Sequence, residues 1–268
     1  MNNLKFVPEG WNNETTKLTK DNWKQYKNQD ATLQGIVNSC DDNCNLYIKF
    51  ENGLQGKIPR EEVEAIKINE QGIPKENLCI GKVHKFVQFK IKDIDEKNEL
   101  ILSRKQVQNE AIDWVKQDLQ EGQKVEGIVK NIKPYGAFIE IGGGIVGLAH
   151  IEDLSVARIQ TPYERLKIGQ KAKVVIKAIN RERGKVTLSY KELLGTWEEN
   201  AQKFSTGMKV KGIVRETEKH QNGIFIELAP NLVGMTEYEE GLEYGQEVNV
   251  YVKKIDYSKK KVKLSLIK

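Results

Sequence analysis

Gly127-Ile128-Val129-Lys130-Asn131-Ile132-Lys133-Pro134-Tyr135-Gly136-Ala137-Phe138-Ile139-Glu140-Ile141 places two β-branched, apolar runs on either side of a Pro-Tyr-Gly turn. The second run alternates apolar and polar, which is the period of a strand with one buried face. Its opening recurs as Gly35-Ile36-Val37 and Gly212-Ile213-Val214, 92 residues earlier and 85 residues later. Its close recurs as Gly223-Ile224-Phe225-Ile226-Glu227-Leu228, with Leu46-Tyr47-Ile48-Lys49-Phe50 in the same slot of the first copy. A glycine follows nine positions after each aromatic, at Gly56, Gly147 and Gly234. Self-similarity at this period predicts a repeat architecture.

A second strand pair extends each copy. Gly169-Gln170 precedes Lys185-Val186-Thr187-Leu188-Ser189, Gly245-Gln246 precedes Lys261-Val262-Lys263-Leu264-Ser265, and Gly81-Lys82 precedes Leu100-Ile101-Leu102-Ser103. The second copy has five strand-like runs at 124–132, 137–141, 145–150, 172–179 and 185–190, with an irregular crossing at 151–167. Gly142-Gly143-Gly144 reads as the tight hairpin between the second and third of these. Five short antiparallel strands in this length predict a small closed Greek-key barrel of the oligonucleotide/oligosaccharide-binding (OB) type, with a short sandwich as the alternative. The fold class is all-β: three tandem barrels joined by short helical linkers.

The division expected is an extension at 1–28, barrels at 29–105, 122–191 and 207–268, and linkers at 106–121 and 192–206. Ile112, Val115 and Leu119 fall at helical spacing in the first linker, and Leu193, Trp197, Ala201 and Phe204 in the second. The extension, with Phe6, Trp11, Tyr26 and an Asp21-capped turn through Trp23, is expected either to cap the first barrel or to dock on a partner.

The 268 residues are 38% hydrophobic and 30% charged, enough for cores in a water-soluble chain. No run approaches the ~18 apolar residues that span a bilayer. The opening residues do not resemble a secretory signal, and the expectation is a cytoplasmic protein with no membrane partner. Cys40, Cys44 and Cys79 are an odd count at spacings unlike zinc sites and read as buried thiols. His84, His150 and His220 fall at non-equivalent positions of the repeats, which argues against a catalytic triad, a metal cluster or a small-molecule substrate, and no cofactor is expected. Net charge is +5, distributed unevenly: residues 122–192 hold 13 basic and 7 acidic residues, residues 29–105 hold 12 and 13. A polyanion is expected to prefer the middle of the chain.

Strict alternation puts Phe138 with Glu140, opposite Ala137, Ile139 and Ile141, and glutamate rarely faces a core. Phe138, Phe225 and Tyr47 therefore point outward, either as stacking platforms for nucleic-acid bases or packed beneath a neighbouring barrel or helix. Tyr135, His150, Lys130, Lys133, Arg181, Arg183 and Lys185 are expected on the same side of the second barrel. The cations are either phosphate contacts or a solvated face, and His150 is either a ligand-facing imidazole or the partner of Asp153.

The stretch 127–141, followed by Gly147-Leu148-Ala149-His150 and by Gly169-Gln170 through Leu188-Ser189, resembles the RNA-binding domain of bacterial ribosomal protein S-one. The segment from Ser189 through Trp197-Glu198-Glu199-Asn200-Ala201 resembles the linker between its tandem domains. The resemblance covers 29–268. It implies a non-enzymatic protein that binds single-stranded RNA, including mRNA, in translation or RNA regulation, with the small ribosomal subunit as a partner; a polypeptide-binding scaffold is the alternative. It carries two aromatics, a histidine and a basic residue onto Tyr135, Phe138, His150 and Lys185, while the family's acidic position holds Asn180. In the third copy Asn222 replaces the first aromatic, with His220 in part substituting, and Glu237 stands where His150 would be. Phe225, Asp256 and Lys261 remain. The first copy has Cys44 and Pro59 at those two sites and keeps Tyr47. Binding is expected to decline from the second copy to the third to the first.

Overall fold

The computed structural model describes residues 6–66, 68–216 and 223–267. Helix α1 (Trp23–Asn28) leads into strands β1 (Leu33–Cys40), β2 (Leu46–Lys49) and β3 (Gln55–Ile58), helix α2 (Glu76–Ile80), and strands β4 (Phe86–Ile94) and β5 (Leu100–Ser103). Helix α3 (Arg104–Gln117) precedes β6 (Lys124–Lys133), β7 (Gly136–Gly142), β8 (Ile145–His150), β9 (Lys171–Asn180) and β10 (Lys185–Ser189). Helix α4 (Trp197–Ala201) precedes β11 (Lys209–Glu216), β12 (Ile224–Ala229), β13 (Leu232–Thr236), β14 (Glu247–Asp256) and β15 (Lys261–Leu266).

Each set of five strands closes into a barrel. The first runs β1-β2-β3-β5-β4 and the third β11-β12-β13-β15-β14, closed by parallel pairs in which Gly56 faces Leu100 and Gly234 faces Val262. The second has the same cyclic order. A closed barrel leaves no unpaired edge, so strands this short bury their ladder completely. By packing, the chain divides into two compact units, one of residues up to 128 with 139–147 and 179–186, the other of 129–138, 148–178 and 187–268.

Period-two alternation fills the cores. Val37, Leu46, Ile48, Ile58, Phe89, Leu100 and Leu102 are buried in the first barrel, and Val214, Ile224, Ile226, Leu232, Val250 and Leu264 in the third. The extension caps the first barrel: Leu18 and Trp23 join its core, and the Phe6 ring lies 5.6 Å from that of Trp114 on α3. The cap of α1 differs from the expected one. Its first flanking residue is Asn22, whose side chain accepts the Thr19 N–H one turn earlier, and Asp21 takes no part.

Helix α3 starts at Arg104 because the Ser103 hydroxyl accepts the Gln106 N–H. It buries Val107, Ala111, Trp114 and Val115, so Trp114 joins the face and Ile112 leaves it for a half-buried position. Helix α4 is a five-residue turn held by a reciprocal Thr196–Glu199 capping box. The three cysteines are free thiols, Cys44 and Cys79 buried; burial pushes the Cys79 thiol up to about 11.

Two outward-facing glutamates depart from the expected solvent exposure. Glu140 is only 1% exposed, because the extension and the β7–β8 hairpin fold over it: it accepts the backbone N–H groups of Glu9 at 2.9 Å and of Gly144 at 3.1 Å. Beside it Arg104 donates two bonds to the Glu9 carboxylate, at 2.6 and 3.0 Å, and one to Glu64 at 3.1 Å. Burial alone would raise the Glu9 carboxyl, but Arg104 and Lys82 outweigh it and hold it down to about 2. Gly143 lies directly beneath α3, where a side chain would meet the Ala111 methyl at 2.5 Å. In the third barrel Glu227, 7% exposed, binds Arg165 at 2.6 Å and Arg215, and Arg215 in turn pairs with Glu164 and the Tyr244 hydroxyl.

Candidate nucleic-acid interface

The β6–β7 turn builds the aromatic group of the second barrel. Gly136 opens β7 where the end of β8 passes: a Cβ there would sit 2.4 Å from the Ala149 carbonyl oxygen and 3.1 Å from the His150 Cα. Only glycine permits this approach. The Ile151 N–H then donates to the Tyr135 carbonyl at 2.9 Å, fixing the turn against the residue that follows His150. Tyr135, Phe138 and His150 are thereby gathered by three short backbone segments.

The Tyr135 and Phe138 rings meet edge to face, centroids 6.1 Å apart and planes at 84°. Such a pair holds both rings in one orientation. Tyr135 is 50% exposed, Phe138 is half-buried beside it, and each leaves surface for a flat ligand. The His150 imidazole is partly exposed with Nδ1 3.7 Å from the Glu152 carboxylate. Asp153, the partner considered from sequence, is buried and engaged by Lys177 at 2.6 Å and Lys191 at 3.5 Å.

The cations divide by their surroundings. Lys130 and Lys133 are exposed on β6, Lys185 is the exposed first residue of β10, and Arg183 is exposed in the preceding turn, where its backbone N–H donates to Asn180 Oδ1. Arg181 differs. Its guanidinium donates to the carbonyls of Val115, Lys116 and Leu119, closing the last turn of α3 where helix carbonyls have no intrahelical donor. Its geometry is that of a helix cap and not of a free phosphate contact.

In the third barrel Gly223 repeats the close approach, since a Cβ would lie 2.8 Å from the Thr236 carbonyl oxygen. Phe225 is half-buried and opposite Met235, whose side chain is exposed. Met235 is an exposed neighbour of Phe225 that sequence reading missed; the same alternation, counted on from Gly234, places it outward. Lys261 is exposed opposite Asp256, whose carboxyl is lowered by hydrogen bonds from Ser258 and the Lys259 N–H. His220 and Asn222 lie outside the described residues. In the first barrel Tyr47 donates its hydroxyl to Asp41 at 3.1 Å, and burial and that bond both raise its phenol.

Three closed five-stranded barrels of one cyclic strand order place the chain in the class of tandem OB-fold proteins. Within that class, residues 118–191 match the S1 RNA binding domain. The matched stretch contains the second of three barrels that share one cyclic strand order, and in this the chain is similar to proteins that carry the S1 domain in tandem. It is 37% identical over 197 residues to small ribosomal subunit protein bS1 of Staphylococcus aureus, covering 67% of this chain and 50% of that protein. The bS1 protein of Rhizobium meliloti is 35% identical over 252 residues, 82% of this chain and 44% of that one. A bS1 homolog of Bacillus cereus is 32% identical over 254 residues, 88% and 62% respectively. The chain spans about half the length of the curated relatives it matches first.

Proposed function

We propose that this protein is a non-enzymatic binder of single-stranded RNA, acting on mRNA in translation in the cytoplasm and associating with the small ribosomal subunit. The observation that carries the reading is the Tyr135–Phe138 pair, fixed by the Gly136 turn, with Tyr135 50% exposed and Phe138 half-buried beside it. Base–aromatic stacking is tolerant of sequence and contributes ~1–3 kcal/mol per base. His150 adds a partly exposed imidazole, and Lys130, Lys133, Arg183 and Lys185 are the phosphate contacts of this reading. Phe225 and Lys261 form a weaker second station, to which His220 belongs by sequence. The names of the relatives, ribosomal proteins of the small subunit, support both the partner and the absence of catalysis. Among the described residues no helix is long and apolar enough to cross a membrane.

The test is titration of the whole chain with an unstructured oligoribonucleotide and with a duplex of the same length. The single strand is expected to bind more tightly with little base preference, because pairing hides the faces on which the rings stack. Equal affinities would overturn the stacking mechanism.

A further inference from the structure

The third barrel has a second wall centred on β14, which meets the side of the aromatic site only at β15, where Lys263 lies between Lys254 and Met235. Strand β14 is separated from β12 by β11 on one side and by β13 and β15 on the other, so its outer surface is not the one that carries Phe225. Val250 and Val252 point into the core and Tyr251 between them points out, 38% exposed. Cross-strand register sets Tyr251 directly opposite Lys209 on β11 and Ser265 on β15. The ladder slips between Val252 and Lys254, so Lys253 and Lys254 are both exposed there, and Lys263 lies opposite Lys254. A shallow depression of 250 Å³ lined by Lys209, Val210, Lys211, Asn249 and Ile267 adjoins the tyrosine.

The charges on this wall are unevenly committed. Lys211 is paired with Glu247 at 2.6 Å, whereas Lys209, Lys253 and Lys263 have no carboxylate within salt-bridge distance among the described residues. Equivalent strands elsewhere in the chain are not free in this way. Val87 faces Gly35 as Val248 faces Gly212, which makes Lys90 the counterpart of Tyr251; Lys90 is buried and bonded to Asp30 and to Glu110 of α3. In the second barrel the residue six after the Gly169 turn is Val175, as Tyr251 is six after Gly245. At this position of the fourth strand, among the described residues, the third barrel thus carries an open aromatic where the other two carry Lys90 and Val175, and the charge beside it complements a polyanion with stackable faces.

We propose that the β11–β14–β15 wall is a second contact surface for single-stranded RNA, with Tyr251 as the stacking platform and Lys209, Lys253 and Lys263 as phosphate contacts. The inference rests on the RNA-binding reading above and adds to it a surface that only a longer strand engages. Tandem stations of this kind raise the affinity for long strands through effective concentration while leaving short ones nearly unaffected.

The experiment uses the whole chain and two unstructured uridylates of about 8 and about 30 nucleotides, since a barrel covers roughly 4–16 nucleotides. All four side chains are on the surface, and thermal unfolding of each variant is compared with that of the parent. The Lys209→Gln, Lys253→Gln, Lys263→Gln triple variant is expected to flatten the salt dependence of the longer RNA by about 2, at ~0.7 per phosphate contact on a single strand. Tyr251→Ala is expected to weaken the longer RNA roughly fivefold or more, and Tyr251→Phe to retain it. Unchanged slope and affinity on the longer RNA, with Phe138→Ala still weakening it, would overturn the second wall alone. No effect from Phe138→Ala either would overturn the RNA-binding reading with it. Equal slope losses on both lengths would indicate a general field and no contact, and would also overturn the proposal.

Discussion

The first and second barrels share one strand order and use the same turn in opposite ways. In the second, Gly136 lets the end of β8 close on the turn, the Tyr135 carbonyl takes the Ile151 N–H, and the Tyr135 ring is left outside. In the first, Asn45 stands at the position of Gly136, and its side-chain oxygen takes the N–H of Arg60, the counterpart of Ile151, at 3.2 Å. The preceding residue, Cys44, is 2% exposed with φ at +63°, and Tyr47 is tied to Asp41. A side chain satisfies the donor that a backbone carbonyl satisfies elsewhere, and the aromatic surface is lost with the exchange. The lesson is that a repeat can keep its barrel and give up its ligand face through a few residues in one turn.

If the first barrel's role is structural, its largest sensitivity lies in the strap over it. Arg104→Met would leave Glu9 and Glu64 buried without their guanidinium, and breaking a buried pair in this way costs about 3–5 kcal/mol. Urea denaturation is expected to show that loss. The pH dependence gives a second reading. Because Glu9 is held to about 2 in the folded chain against an ordinary 4.5, the unfolded chain binds more protons between those values. That contribution to stability is full above about 4.5 and fades as pH falls toward 2. In the variant this acid-side slope is expected to vanish or reverse. A loss below about 1 kcal/mol would mean that the strap is a surface contact, and the contrast between the barrels would narrow.

The next effect addresses the contrast directly. Phe138→Ala is expected to weaken binding of an unstructured oligoribonucleotide by roughly 1–3 kcal/mol with little change in its salt slope, while Tyr47→Ala leaves affinity unchanged. Equal losses from the two substitutions, measured by titration at fixed salt, would erase the distinction drawn from Cys44, Asn45 and Asp41.

The barrels were legible because their information is local. Gly127-Ile128-Val129 and its two echoes fixed the repeat, and the alternation of Val186 and Leu188 with Lys185 and Thr187 placed strands close to where they lie. The outward direction of Phe138 followed from Glu140 by the same rule. The burial of that glutamate did not, since its partner Glu9 is 131 residues away, and Glu227 meets Arg165 across 62 residues. No period or spacing reports such pairs. The capping role of Arg181 is invisible in the sequence because its acceptors are backbone carbonyls at and just beyond the end of α3, which leave no mark on residue identity.

The smallest expected effect separates the cations that remain. Lys185 opens β10 in the second barrel, and the residue at its place in the first, four before Ser103 as Lys185 is four before Ser189, is Glu99. If Lys185 meets a phosphate, Lys185→Gln should lower the slope of log affinity against log salt by about 0.7 while leaving unfolding unchanged. Glu99→Gln should leave that slope where it was, because a carboxylate at the corresponding place holds no phosphate. Arg181→Gln should behave in the opposite sense to Lys185→Gln: the exposed carbonyls of α3 would lose their donor, so thermal stability falls and the salt slope stays. A slope change from Arg181→Gln as large as that from Lys185→Gln would show that the guanidinium leaves the helix to meet the RNA, and the division of the basic residues into caps and contacts would fail.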